Sequence, residues 1–219
     1  MRIDSGETPH AMTSQQDANA PIAFYFDILS PFGYLASTQI EKIAARHGRS
    51  VDWRPVLVGI TVLKIMGMKP LAEYPLKGDY LKRDMQRYAE IYGVPMKPHG
   101  LKGHNSLNAM RAFVWLKQRD AALATAFAKR MYERLWVRSL DITPPDACAE
   151  EAEVLGVPRE QTLAALADDT VKQALTLLVN EAIGEGVFGV PFFIADGEKF
   201  FGNDHIWMME RWLEKHAWR

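Results

Sequence analysis

The stretch from Phe24 to Ala36, FYFDILSPFGYLA, constrains the fold more than any other part of the chain. From Pro21 to Leu29 (PIAFYFDIL) the residues are almost all apolar, and the run is short and aromatic, which suits a buried strand better than a helix. At Ser30 the pattern switches. Serine is a good helix N-cap and Pro31 suits the first helical position. Phe32, Leu35, Ala36, Ile40, Ile43 and Ala44 then recur at helical spacing, and His47-Gly48 closes that helix, since glycine adopts the left-handed stop freely. Val51–Val58 (VDWRPVLV) reads as a second strand, which Pro55 places at a sheet edge or ends early. Strand, helix and strand in this order imply two parallel strands joined by a right-handed crossover.

The chain then changes character. Gly59 to Lys102 is irregular and rich in Gly, Pro and Lys, with one helix near Asp79 to Tyr92. From Asn105 the spacing is helical. Leu107, Met110 and Val114 mark one helix, and Leu123, Phe127, Met131 and Leu135 the next. Pro144-Pro145 opens a third, Pro158 precedes a fourth, and a fifth runs from about Thr170 to Ile183. Strand signals return near Val187: Pro191-Phe192-Phe193-Ile194, then Asp196-Gly197, then Lys199-Phe200-Phe201, a good hairpin pattern. Gly202-Asn203-Asp204 starts a last helix with Ile206, Met209, Trp212 and Leu213 on its apolar face. The order is β-α-β, a helical block, then β-β-α. Without the block this is the thioredoxin arrangement. The expected fold class is therefore α/β, thioredoxin-like with a large all-helical insertion. Residues 21–60 and 185–219 form the thioredoxin-like domain and 61–184 the inserted helical domain.

Composition narrows the partners. A chain of 219 residues, 48% of them hydrophobic, can bury one large core with or without an inserted subdomain. A net charge of −1 without a clustered basic face argues against a nucleic-acid partner, and no apolar run approaches the ~18 residues a membrane span needs. Residues 1–20 are polar and mixed, without the apolar stretch of a signal peptide, and read as a disordered tail. The single cysteine, Cys148, excludes an intramolecular disulfide and any cysteine-rich metal cluster. Together with the missing signal it points to the reducing cytoplasm. His99, His104 and His205 show no metal-ligand spacing, so no metal is expected.

In a thioredoxin-like fold the first helix begins at the carboxyl end of the first strand, and its free amides and partial positive charge stabilise a thiolate. Redox members place Cys-x-x-Cys there. This chain has Ser30 and Gly33, so a dithiol is excluded. A serine hydroxyl can instead donate a hydrogen bond to a thiolate brought by a cofactor, and glutathione is the cofactor of that kind. The competing role for Ser30 is a plain N-cap, worth ~1 kcal/mol. Val190-Pro191 is the second piece. A cis proline at the start of the third strand would turn the Val190 backbone toward a ligand, whereas a trans proline would merely open an edge strand.

Phe26-Asp27-x-x-Ser30-Pro31-Phe32-x-Tyr34-Leu35-Ala36 resembles the N-terminal signature of 2-hydroxychromene-2-carboxylate isomerases and kappa-class glutathione transferases, in the DsbA-like branch of the thioredoxin superfamily. Gly186-Val187-Phe188-Gly189-Val190-Pro191-Phe192-Phe193 and Phe200-x-Gly202-x-Asp204 resemble their C-terminal signature. The likeness spans roughly Pro21 to Leu213. It implies that Ser30 is the catalytic serine at the glutathione sulfur and that Val190, beside Pro191, binds the cysteinyl backbone. It further implies that Lys77 reaches a glutathione carboxylate and that Asp204 binds the γ-glutamyl ammonium group. Lys77 is otherwise a surface residue, and Asp204 can serve as an N-cap for the last helix. Pro31, Phe32 and Asn105 are candidates for the substrate side, Asn105 and Ser106 also being candidate N-caps. Two positions depart from the family. His205 stands where an arginine is common, and Met68 follows Gly67 where an asparagine is common. Histidine lacks arginine's rigid fork for a carboxylate.

The resemblance implies a glutathione-dependent isomerase acting on intermediates of aromatic catabolism. The thiolate adds to an electrophilic carbon, a double bond becomes single and rotates, and elimination returns the thiol. Its partners would be a small aromatic substrate and, by analogy, a second copy of the chain in a homodimer. A kappa-like transferase or peroxidase uses the same thiolate, and a non-catalytic binding protein would keep the fold without the chemistry.

Overall fold

A computed structural model describes residues 20–69, 73–97 and 103–219. Four strands form one mixed sheet in the order β2-β1-β3-β4: β1 Ile22–Phe26, β2 Val51–Pro55, β3 Phe192–Ala195 and β4 Glu198–Phe201. β1 pairs in parallel with β2 and antiparallel with β3, and β3–β4 is the expected hairpin, with Asp196 and Gly197 both at positive φ in its turn. Every residue of β1 is buried, as a central strand covered on both faces must be. Alternation sends Ile22, Phe24 and Phe26 to one face, where Phe24 stacks on Phe193 at 5.4 Å and meets Trp53 edge-on at 4.8 Å. Ala23 and Tyr25 face the other way, onto Phe192, Val187 and Ala182. Pro55 ends β2, and β2 is an edge strand, as the sequence pattern implies.

Nine α-helices occur among the described residues. The first two are α1 Pro31–Ser37 and α2 Ile40–Arg46, where a single helix is expected from the spacing. The break comes from local hydroxyls. Ser37 Oγ bonds back to the Tyr34 carbonyl at 2.6 Å and Thr38 Oγ1 to that of Leu35 at 2.7 Å, and the Thr38 amide also turns to Leu35. Gly48, at φ +65°, supplies the stop after α2. The segment after β2 begins with a π-helical turn, Gly59–Ile65, that apolar periodicity does not reveal. The remaining helices are α3 Lys77–Tyr92, α4 Leu107–Lys117, α5 Ala121–Trp136, α6 Pro145–Glu153, α7 Arg159–Ala167, α8 Asp169–Gly184 and α9 Ile206–Lys215. Helices α3 to α8 all lie between β2 and β3 in the chain. Their apolar faces join the sheet in one core: Phe113 of α4 meets Phe26 at 4.9 Å, and Tyr132 of α5 lies 6.1 Å from the same ring. No helix of the described residues is long and apolar enough to cross a membrane. The expectation of a tail over 1–20 falls on residues that, up to 19, lie outside the described ones.

Candidate active site

Ser30 is half-buried at the end of β1 and caps α1: its Oγ accepts a hydrogen bond from the Gly33 amide at 2.9 Å. The same hydroxyl donates to the Val190 carbonyl at 3.3 Å, long for an O–H···O bond, whose usual range is about 2.5–3.0 Å. The Val190-Pro191 bond is cis, and Pro191 is buried with Val190 half-buried beside Ser30. The capping role is therefore real, but it uses the oxygen lone pair and leaves the proton loosely held. Capping and donation to a ligand are compatible in this hydroxyl. Because α1 has only seven residues, the positive potential here comes from the amides of its first turn rather than from a long helix.

Beneath Ser30 the chain is fixed from several directions. The Asp27 carboxylate, wholly buried, accepts from the Leu29 amide at 3.0 Å and the Val58 amide at 2.8 Å. Burial raises its pKa above the usual carboxylate value, against the pull of its hydrogen bonds. The Asp27 carbonyl accepts from the Ser30 amide at 2.9 Å and from the Tyr132 hydroxyl at 3.1 Å, and the Ile28 carbonyl takes Trp136 Nε1 at 2.9 Å. Burial, and then the Asp27 charge, hold the Tyr132 phenol well above its ordinary range, so it remains a donor.

Tyr132 also explains Gly33. A methyl group at Gly33 would lie 2.6 Å from the Tyr132 hydroxyl oxygen and 3.0 Å from Ser30 Cβ. That hydroxyl is anchored on Asp27 and cannot swing away. Gly33→Ala is expected to destabilise the chain by about 1–3 kcal/mol. Tyr132→Phe, which removes the clashing oxygen, should recover part of that loss. Chemical denaturation of both single variants and the double variant checks it, additive losses being the contrary result.

The other side of the site is aromatic. Phe32 meets Tyr88 of α3 edge-on at 6.2 Å, and Tyr88 lies 5.7 Å from Tyr92. Tyr92 accepts from Asn203 Nδ2 at 3.2 Å. Asn203, Asp204 and His205 form a 3₁₀ turn packed against α1, and the Gly202 amide ahead of it donates to the Pro191 carbonyl at 2.9 Å. The Asp204 carboxylate occupies the space a Cβ would need at Gly202, whose φ is +96°, so only glycine fits. Burial and then the Asp204 charge raise the Tyr88 phenol above its ordinary range.

The structure thus brings Ser30, Pro31, Phe32, Val190, Pro191, Asp204 and His205 into one neighbourhood. Asp204 does not cap α9. It is exposed, 3.5 Å from His205 Nδ1, and His205 itself holds the cap position without a side-chain bond. Lys77 is exposed at the start of α3 with its ammonium 5.4 Å from the Tyr74 ring centroid. It lies eleven positions before Tyr88, about 16 Å along the helix, so it stands at the far end of the cleft wall from Phe32. Asn105 is exposed, and its Oδ1 accepts from the Leu107 amide at 3.3 Å, a local job at the start of α4. His205 also borders a groove of about 360 Å³ with Lys199, Phe201, Met208 and Trp218, which does not include Ser30. Cys148 is fully buried, and burial pushes its thiol up to about 12, so it is inert. His99 lies outside the described residues, and no cluster among the described residues is built to hold a metal ion.

Asp27, Tyr132 and Trp136 are not among the site residues expected from the sequence. The available signal was Asp27 itself, a lone carboxylate in an otherwise apolar run, which must find buried partners. Tyr132 lies 105 residues away in the chain, beyond any local pattern.

The chain is 29% identical over 191 residues to a 2-hydroxychromene-2-carboxylate isomerase of Pseudomonas putida, covering 86% of this chain and 92% of that protein. It is 27% identical over 206 residues to glutathione S-transferase kappa 1 of Caenorhabditis elegans, covering 89% and 91%. A solved 2-hydroxychromene-2-carboxylate isomerase structure superimposes with a TM-score of 0.79 at 28% identity, over 89% of this chain and 95% of that one. The model of the DSBA-like thioredoxin domain matches residues 21–214. With all four strands and all nine helices but the last residue of α9 inside that span, the chain belongs to the family of DSBA-like thioredoxin domains.

Proposed function

We propose that this protein is a glutathione-dependent isomerase of the 2-hydroxychromene-2-carboxylate type, acting on a small aromatic substrate in a reducing cytoplasm. One observation carries the reading. Where redox relatives of the fold need a cysteine pair, this chain offers a half-buried hydroxyl whose oxygen is fixed by the Gly33 amide and whose proton is held only at 3.3 Å by Val190. Its own thiol is buried elsewhere and inert. The residues present fit glutathione: Ser30 for the sulfur, the Val190 backbone beside Pro191 for the peptide, and Asp204 for the ammonium group. His205 and Lys77 remain for the carboxylates. Bound there, the glutathione thiol supplies a nucleophile that adds reversibly to an electrophilic carbon. Ser30 turns its hydroxyl proton from Val190 to the sulfur and so favours the charged form. Phe32 and Tyr88 give an aromatic substrate an apolar wall, and the α1 first turn adds positive potential.

Calorimetric titration with glutathione and with S-hexyl-glutathione tests the reading. Heat release and a higher melting temperature in excess ligand are expected, as for any ligand that binds only the folded state. No heat and no thermal shift would favour a binding protein of another kind. A kappa-like transferase is the second reading, supported by the likeness to the Caenorhabditis elegans protein. Mass spectrometry of products separates the two: an isomerase returns product of unchanged mass, a transferase a product heavier by glutathione.

A further inference from the structure

Asn203 is 3% exposed, and among the described residues its side-chain amide has a single partner, the Tyr92 hydroxyl, which lies 3.2 Å from Nδ2 and 3.4 Å from Oδ1. The next residue of the same 3₁₀ turn, Asp204, points outward, with its side chain 66% exposed. One residue of the turn is buried in a bond to α3, and its neighbour is turned to solvent. Tyr92 shares a face of α3 with Tyr88, four residues and about 6 Å before it, and Tyr88 meets Phe32, two residues after Ser30. A second strut runs from the Gly202 amide to the Pro191 carbonyl at 2.9 Å, beside Val190, which accepts from Ser30 Oγ at 3.3 Å. The turn that carries Asp204 is therefore tied to both sides of the Ser30 site.

We infer that Tyr92 and Asn203 are positioning residues that hold the Asp204 carboxylate at a set distance from the Ser30 hydroxyl, so that the site selects thiols with an ammonium group at their far end. Neither touches the reacting atoms. Asn203 acts through the turn it shares with Asp204, and Tyr92 acts through Asn203. A ligand held at two ends binds tightly only when both grips stand at its own spacing. This rests on the proposed binding of glutathione with Asp204 at its ammonium group, and the two ligands below separate failure of that reading from failure of this one.

The probes are S-hexyl-glutathione and S-hexyl-N-acetylcysteinylglycine, which has an acetyl group in place of the γ-glutamyl end. Both are titrated calorimetrically into the parent protein, Tyr92→Phe, Asp204→Asn and the double variant. Tyr92→Phe keeps the ring beside Tyr88, and thermal unfolding checks that it folds. It is expected to weaken S-hexyl-glutathione about 3–10-fold, the worth of one hydrogen bond, and the acetylated ligand less than about 2-fold. In the Asp204→Asn chain it should add nothing further, because the carboxylate it positions is gone. Asn203→Ala, which removes the same bond from the other side, should show the same selectivity. Equal loss for both ligands, loss for neither, or a loss undiminished in the Asp204→Asn chain would make the pair structural only and overturn the inference. The parent protein alone tests the underlying reading. If it binds both ligands equally, glutathione binding stands, while the ammonium role of Asp204 falls and this inference with it. If it binds neither, glutathione binding itself fails and the inference is overturned with it.

Discussion

Ser30→Ala is expected to lower turnover about 10²-fold, the loss typical when one preorganised donor to a developing or held anion is removed. The fold should survive. The variant gives up the cap on Gly33, which costs about 1 kcal/mol, or roughly 2–4 °C in melting temperature for a chain of this size. The two effects separate the roles. A residue that only capped α1 would show the small thermal shift and nearly full activity. Steady-state kinetics alongside thermal unfolding distinguishes the outcomes, and a soluble Ser30→Ala protein with unchanged turnover would remove Ser30 from the chemistry.

The largest expected loss of stability lies away from the site, at Glu151 on α6. Its side chain is 2% exposed and faces Arg130 at 2.7 Å, Arg134 at 3.1 Å and Arg138. Burial works against the charged carboxylate, but the hydrogen bonds from Arg138 and Arg134 outweigh it and hold its pKa below the ordinary value. Removing one partner of a buried charge cluster costs about 3–5 kcal/mol, because the remaining charges lose their compensation. Arg134 is 13% exposed and Arg138 36%, so water relieves part of that, and Glu151→Gln should fall near ~3 kcal/mol, at the low end of the range. Truncating Arg138 alone should cost far less, since its charge is already well hydrated. The sign with pH follows. A carboxylate whose pKa is lowered in the folded state contributes stability above its unfolded value of ~4.3, and that contribution disappears as pH falls through the folded value. Denaturation between neutral and acid pH should therefore show a steeper acid loss in the parent protein than in Glu151→Gln. Parallel curves would contradict this.

Local chemistry made much of the fold legible. Ser30-Pro31, Gly48 and Asp196-Gly197 punctuate the chain where the structure turns, because each rests on backbone geometry that the residue itself dictates. The element order β-α-β, helices, β-β-α could be read because each apolar period survives in the final packing. The single helix expected over Phe32–Ala44 failed because apolar spacing cannot report two hydroxyls bonding back onto the helix at Ser37 and Thr38. The π-helical turn escaped for a similar reason: its Met66 amide reaches the Thr61 carbonyl, a spacing that leaves no apolar signature. At the site, residues near the two proline steps were visible, while the supporting layer was not. Asp27, a charge in an apolar run, carries a signal that the sequence reading passes over, and Tyr132 and Trp136 reach this loop only through tertiary packing. Lys77 and Asn105 come forward through the family resemblance rather than through apolar spacing; the first stands exposed at the start of α3 and the second accepts from the Leu107 amide at the start of α4.

On the proposed reading, Ser30 and the first turn of α1 keep a bound thiol anionic. Ultraviolet titration of the thiolate of bound glutathione, in the parent protein and in Ser30→Ala, tests it most directly. The expected result is a thiol titrating about one unit or more below the ~8.5 of a free one in the parent protein, and returning toward that value without the hydroxyl. A bound thiol that titrates like the free compound, or identically in both proteins, would contradict it.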